Sequence, residues 1–157
     1  MPKISALIHT LNDAQRLPRA IESLRSCDEV LVIDHGSEDK TETIARDHGA
    51  KVKAAIPGVE DGTYAVDAAY DWILCVQPSE SLSEDLEASL LEWKRNDPDE
   101  AVIGFRVEVR EQNEKGWHSL GREMRLVNRK RINWTTTLPP NATNAQPLDG
   151  DLLRFKS

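Results

Sequence analysis

Glu29-Val30-Leu31-Val32-Ile33-Asp34-His35-Gly36-Ser37-Glu38-Asp39-Lys40-Thr41 joins a strand to a helix. Its first part is a short apolar run rich in β-branched residues, the pattern of a buried strand in a parallel sheet. The run ends in Asp34, turns through Gly36-Ser37 and enters a segment with helical spacing. An acid at the carboxyl end of a parallel strand sits where open α/β sheets bind ligands.

Working outward, Ile4 to Ile8 is a compact apolar run and reads as the first strand, with Thr10, Asn12 and Asp13 after its end. Asn12 or Asp13 suits the cap of a following helix. Leu17, Ala20, Ile21 and Leu24 form one apolar stripe. Pro18 places the start of that helix, because proline is tolerated in a first turn. Past the central stretch, a second helix is expected over 39–48, with Gly49 as its stop. Lys51 to Ala54 follows as a third strand, then a break at Pro57-Gly58 and a short helix over 62–69. Trp72 to Val76 is another unalternating run, and Ser83 caps a helix to about Asn96. Strand and helix alternate throughout, which predicts a mainly parallel sheet with right-handed crossovers.

The pattern changes after residue 100. Ile103, Phe105, Val107 and Val109 alternate with Gly104, Arg106, Glu108 and Arg110, a strand with one wet face. Asn113 to Gly116 suits a hairpin turn, residues 117–120 pair back, Met124 and Leu126 mark another strand, and 132–134 is expected to continue it. Leu138-Pro139-Pro140-Asn141 stops regular structure. The expectation is a single domain over 1–157: an α/β half over 1–100, an antiparallel β-rich half over 101–137, and a tail or short strand over 138–157.

At 157 residues, with 39% hydrophobic and 30% charged residues, this is a soluble globular composition. A chain of this size buries roughly 70% of its unfolded surface. A formal charge of −7 argues against a general nucleic-acid binder. Arg122, Arg125, Arg129, Lys130 and Arg131 nevertheless cluster around one acid, Glu123. They read either as a solvated face or as an anion site. Cys27 and Cys75 have no metal or redox spacing. Met1-Pro2-Lys3 enters a strand directly, with no signal peptide and no transmembrane segment, so a cytoplasmic location is expected. The glycosylation patterns at Asn133 and Asn141 read as chance without a secretory signal. Trp117 and Trp134 suit core packing, a sugar face or an interface.

Several motifs in order resemble one family. They are Ile4-Ser5-x-x-Ile8-x-Thr10-x-Asn12, Leu17-Pro18-Arg19-Ala20-Ile21-Glu22-Ser23-Leu24, Asp28-Glu29-Val30-x-Val32-x-Asp34-x-Gly36-Ser37-x-Asp39-x-Thr41, and Ile44-Ala45-x-x-x-Gly49-Ala50-Lys51-Val52. The likeness resumes at Asp71-Trp72-Ile73-Leu74 and Glu80-x-Leu82-Ser83-x-x-Leu86, and is faint at Arg125-Leu126-Val127-x-Arg129. Together they resemble the family-2 glycosyltransferases. The resemblance implies a Rossmann-like GT-A sheet and transfer of a sugar from a nucleotide-diphosphate sugar. It implies nucleotide contacts at Thr10, Asn12, Asp34 and Ser37. For Asp34 a loop-stabilising role stands beside ligand contact, and Ser37 and Asp39 equally suit helix capping.

The departures bear on chemistry. The family presents Asp-x-Asp after the Trp72 strand to hold Mn or Mg against the diphosphate. Here the positions are Gln77 and Ser79 around Pro78, and Glu80 alone is a poor site for a hard cation. No metal site is therefore expected. Gly62-Thr63 replaces a basic residue and Asn, and the acidic acceptor motif is missing near Thr136-Thr137-Leu138. Two readings stay open. One is a transferase of reduced or metal-independent activity, with Arg106, Arg125 and Arg129 on the diphosphate and Glu80 or Glu108 as base. The other is a non-catalytic nucleotide-binding, sugar-binding or protein-interaction domain, with a protein partner or a second copy completing the site. A third, an unrelated phospho-acceptor domain with Asp34 as acceptor, lacks the acidic cluster expected after the first strand.

Overall fold

The computed structural model describes residues 1–142 and 144–156. Thr143 of the second glycosylation pattern therefore lies outside the described residues. The strands are β1 (Ile4–Thr10), β2 (Glu29–Asp34), β3 (Lys51–Ala54), β4 (Trp72–Cys75), β5 (Glu80–Leu82), β6 (Gly104–Asn113), β7 (Gly116–Asn128) and β8 (Gln146–Arg154). The helices are α1 (Leu17–Glu22), α2 (Thr41–Asp47) and α3 (Glu84–Trp93), with a 3₁₀ helix at Asp61–Asp67. The strands form one sheet in the order β3-β2-β1-β4-β7-β6-β8-β5.

The first four strands of that order run parallel, with Leu7 opposite Leu31 and Leu7 also opposite Cys75. Their side chains alternate between two apolar layers. Ile4, Ala6, Ile8, Val32 and Leu74 face one layer with Leu17, Leu86 and Leu90, while Leu7, Ile33, Ile73 and Cys75 face the other with Tyr64 and Trp134. Both faces of β1, β2 and β4 are covered, so these three strands read as continuous apolar runs, whereas the edge strand β3 does not. This is the expected α/β sheet, and the switch to antiparallel pairing comes at β7, where Leu74 faces Leu126.

The hairpin of β6 and β7 extends past the carboxyl ends of the parallel strands, pairing Phe105 with Leu126 at its base and Asn113 with Gly116 at its tip. β7 is one 13-residue strand, so 117–120 and 124–126 belong together. Residues 132–134 do not continue it. Trp134 instead packs into the second layer at 7% exposure, as its core reading expected.

Of the two alternatives for 138–157, a tail or a short strand, the strand forms, over Gln146–Arg154. β8 lies inside the sheet, parallel to β6 and antiparallel to the short β5. Leu152 is fully buried, and the Ser83 Oγ accepts from both the Leu86 and Asp151 amides at 3.1 and 2.9 Å. One hydroxyl thus caps α3, as expected, and also ties α3 to β8.

Candidate active site

The carboxyl ends of β1, β2 and β4 open on one edge. The loops after β1 and β2 interlock there through their own polar side chains. Thr10 Oγ1 donates to Asp13 Oδ2 at 2.7 Å, and Leu11 N donates to the same oxygen at 3.1 Å. Asn12 takes a positive φ of 55°, which asparagine tolerates better than most residues. That turn lets Asn12 N donate to Ser37 Oγ and Asn12 Oδ1 accept from Glu38 N, both at 2.8 Å. Asp34 accepts from the Ser37 amide at 3.3 Å and from the Ser37 hydroxyl. Thr41 Oγ1 accepts from Asp13 N at 2.9 Å, and Asp39 accepts from Thr41 N and Ala14 N.

The four residues expected at the nucleotide, Thr10, Asn12, Asp34 and Ser37, are therefore brought together. Thr10 and Asp34 are 3% and 8% exposed. Asp39 holds the start of α2, where its capping role was expected, and hydrogen bonds hold its carboxyl below the usual aspartate range.

Three clefts line this edge. One of about 620 Å³ is walled by Leu11 to Arg16 and Asp39. One of about 400 Å³ lies between His35-Gly36 and Ala55 to Val59, with Asp61 at its side. The third, about 650 Å³, joins Arg16 and Ser79 to the hairpin tip and to Arg154, Phe155 and Lys156. Arg16 lines both the first and the third. Its guanidinium is anchored to Asp13, with Nε at 3.0 Å from Oδ1.

The expected base and phosphate ligands are placed otherwise. Glu80 is fully buried, accepting from Arg125 at 2.7 and 2.9 Å, from Arg154 Nη2 at 3.1 Å and from the Gln77 amide at 2.9 Å. Burial alone would raise its pKa, but Arg125, the Gln77 amide and Arg154 together hold the carboxyl below its ordinary range. An ionised carboxylate with these partners has no free lone pair facing the edge, which corrects its reading as base. Arg125 is also fully buried; besides Glu80 it donates to the Cys75 carbonyl and to Glu123, both at 3.1 Å. Arg129 binds Asp71 at 3.1 Å and the Ala65 and Ala68 carbonyls at 2.9 and 2.6 Å, strapping the 3₁₀ helix to β7. Arg125 is not available to a phosphate, because structural acceptors occupy all its donors, whereas Arg129 is held by Asp71 and the two carbonyls through Nε and Nη1. Arg106 keeps a buried Nε without a partner among the described residues. Glu108 lies on the hairpin, accepts from Ser119 Oγ and stands 3.9 Å from Arg122.

The donor set after β4 does not fit a hard divalent cation. Gln77 and Ser79 supply no carboxylate. Glu80, the one acid there, turns inward to two arginines. A hard cation at that position would find no carboxylate turned toward it.

The sequence model of glycosyl transferase family 2 matches residues 5–57, the segment that builds β1, β2, β3 and the interlocked loops. A Rickettsia felis protein named as an uncharacterized glycosyltransferase is 31% identical over 147 residues, 88% of this chain and 52% of that protein. The chain is similar to the glycosyltransferases of family 2. A second relative, from Rickettsia bellii, is 44% identical over 89 residues, which cover 54% of this chain and 30% of the relative. The chain thus spans about half the length, or less, of these curated relatives.

Two solved structures show the same GT-A fold. Mannosyl-3-phosphoglycerate synthase from Rubrobacter xylanophilus aligns with a TM-score of 0.54 at 20% identity, covering 72% of this chain and 42% of that one. S. aureus TarS aligns with a TM-score of 0.56 at 19% identity, covering 73% and 37%. No helix among the described residues is long and apolar enough to cross a membrane.

The basic residues that line the 650 Å³ cleft escaped the sequence reading of the site, which reached only Ser79 of its wall. Arg16, Arg154 and Lys156 lie outside the basic run at 122–131. Arg154-Phe155-Lys156 follows Leu152-Leu153, an apolar pair too short to mark a strand unaided.

Proposed function

We propose that the chain binds a nucleotide-diphosphate sugar along the carboxyl edge, as the nucleotide-binding half of a family-2 glycosyltransferase. The nucleoside lies against Asn12, Asp34 and the neighbouring clefts. The diphosphate extends past Arg16 toward Ser79, Arg154 and Lys156, so fixed cations neutralise charge that a metal neutralises elsewhere. The observation that carries this reading is the position of Arg16, which lines both the cleft beside Asn12 and the cleft beside Ser79. Among proteins of this fold, glucosyl-3-phosphoglycerate synthase from Mycobacterium tuberculosis has been crystallised with Mn²⁺, UDP-glucose and phosphoglyceric acid. That precedent supports a sugar nucleotide as the ligand class. A cytoplasmic location follows from the same reading, because nucleotide sugars are cytoplasmic substrates in such a scheme.

A second reading is a binding domain without transfer. It is favoured by the burial of Glu80, which leaves no carboxylate after β4 to activate an acceptor or hold a metal. Thermal melting with a panel of nucleoside diphosphates and their sugars separates the readings from a protein that binds neither. A ligand at a hundred times its dissociation constant adds about 2.7 kcal/mol, a rise of roughly 5–10 °C. Release of free nucleoside diphosphate over time marks turnover, whereas a thermal shift without release marks binding alone. No shift with any nucleotide sinks both.

A further inference from the structure

The end of β1 carries His9, the turn after β2 carries His35, and the 3₁₀ helix opens with Asp61. The histidines are 26 residues apart and the acid a further 26, so the parallel pairing of β1 and β2 unites the histidines and the start of the 3₁₀ helix brings Asp61 to them. His9 Nδ1 and His35 Nε2 face each other at 2.9 Å, and His35 Nε2 lies 3.8 Å from Asp61 Oδ1. The three ligand atoms all fall within 4.8 Å of one another. Tyr64 packs edge-on against His9 at 5.9 Å and fixes that ring from behind.

We propose that His9, His35 and Asp61 form a binding site for a borderline divalent cation such as zinc. Zinc bonds of 2.0–2.1 Å place tetrahedral ligand atoms about 3.3 Å apart. The observed 2.9 and 3.8 Å separations lie on either side of that spacing, within reach of small side-chain rotations. Two imidazoles and one carboxylate are the donor set of such a cation, not of magnesium or calcium, which prefer oxygen alone. Three protein ligands leave a fourth position for water or a ligand atom. His35 and Asp61 both line the 400 Å³ cleft, so that position opens on a space large enough for a small anion.

His9 is itself nearly buried, at 9% exposure, which holds its ring in place at the end of β1. The site is separate from Gln77 and Ser79, where the family's own cation sits, and does not depend on nucleotide binding.

The test is a titration of untagged protein with Co²⁺, read by visible absorption, followed by Zn²⁺ competition against a chromophoric chelator. One equivalent of Co²⁺ should bind with the intense bands of four-coordinate geometry, and Zn²⁺ should displace it. His35→Asn and Asp61→Asn should each weaken Zn²⁺ binding at least about tenfold. Both side chains are about one-third exposed, at 29% and 30%, so each variant should fold, which its melting without metal checks. The His48→Asn/His118→Asn double variant should bind as the parent does. Absence of the cobalt spectrum in the parent would overturn the proposal and leave a hydrogen-bonded histidine pair. So would equal affinity in the parent and both site variants. The parent spectrum decides even if a variant unfolds, and loss of nucleotide binding elsewhere on the edge would leave this result unchanged.

Discussion

Arg125 and Glu80 meet inside the protein through two parallel charge-assisted bonds, Nη1 to Oε1 at 2.7 Å and Nη2 to Oε2 at 2.9 Å, with neither side chain exposed. They join β7 to β5 across the sheet, and Arg154 of β8 closes the group from the other side. Two residues that read as chemistry in the sequence thus form a structural unit beneath the site.

Breaking this pair should be costly. Removing one partner of a buried ion pair destabilises by about 3–5 kcal/mol, because the other charge stays buried without compensation. Arg125→Met alone and Glu80→Gln alone should therefore each lower the melting temperature by roughly 10 °C. The Glu80→Leu/Arg125→Met double variant should lose much less than the sum, since both charges leave together and Arg154 can turn toward solvent. Urea unfolding of the three proteins measures the coupling. Additive losses would show that the pair is not a unit.

Acid should weaken the fold through the same group. The Glu80 carboxyl is held below its ordinary range by Arg125, the Gln77 amide and Arg154. Its contribution is complete above the unfolded glutamate value of about 4.3 and is lost as pH falls through the lower folded value. His9 acts at higher pH. Burial lowers its pKa to about 4, so the unfolded chain binds the extra proton between about 6.5 and 4, and stability falls across that window. His9→Gln should flatten the loss between pH 6.5 and 4 by about 1–3 kcal/mol, and leave the steeper fall below it. Unfolding free energies at pH 7, 5 and 4 check the His9 sign, and a further series from pH 4 down to about 2 checks that of Glu80.

Ser83 supports two donors with one oxygen, Leu86 N and Asp151 N. Ser83→Ala should cost about 1–2 kcal/mol, the upper part of the usual range for a lost cap, because β8 loses a partner as well. A loss under about 0.5 kcal/mol would mean that water replaces the hydroxyl at both amides.

Gly62 lies against Trp134. A Cβ there would stand 1.8 Å from the Trp134 carbonyl oxygen, a backbone atom with little room to move. Gly62→Ala should destabilise by more than about 2 kcal/mol, as overpacking does, and should shift Trp134 fluorescence. An unchanged melting temperature would contradict this packing.

The parallel half was legible because its signals are local. Leu7 and Ile33 on one face, and Ile8 and Val32 on the other, are all apolar and contiguous, and Ser83 announces its helix by itself. The placement of β8 was not, since Leu152-Leu153 is a short apolar pair that becomes a strand only beside β6. The roles of Glu80 and Arg125 were hidden for a related reason. Charges in sequence carry no mark of burial, and their pairing spans 45 residues. His9 and His35 stand alone in the sequence, and their contact exists only once β1 and β2 pair.

The central claim is a nucleotide site organised by Asp34 and Arg16 that needs no metal at Gln77 and Ser79. Calorimetric titration with a panel of nucleoside diphosphates, in EDTA and then in manganese, tests it most directly. The expected result is binding of at least one of them in EDTA, little changed by manganese and weakened at least tenfold in Asp34→Ala and in Arg16→Ala, about 1.4 kcal/mol or more. Binding that appears only with manganese, or that both variants keep unchanged, would contradict the account.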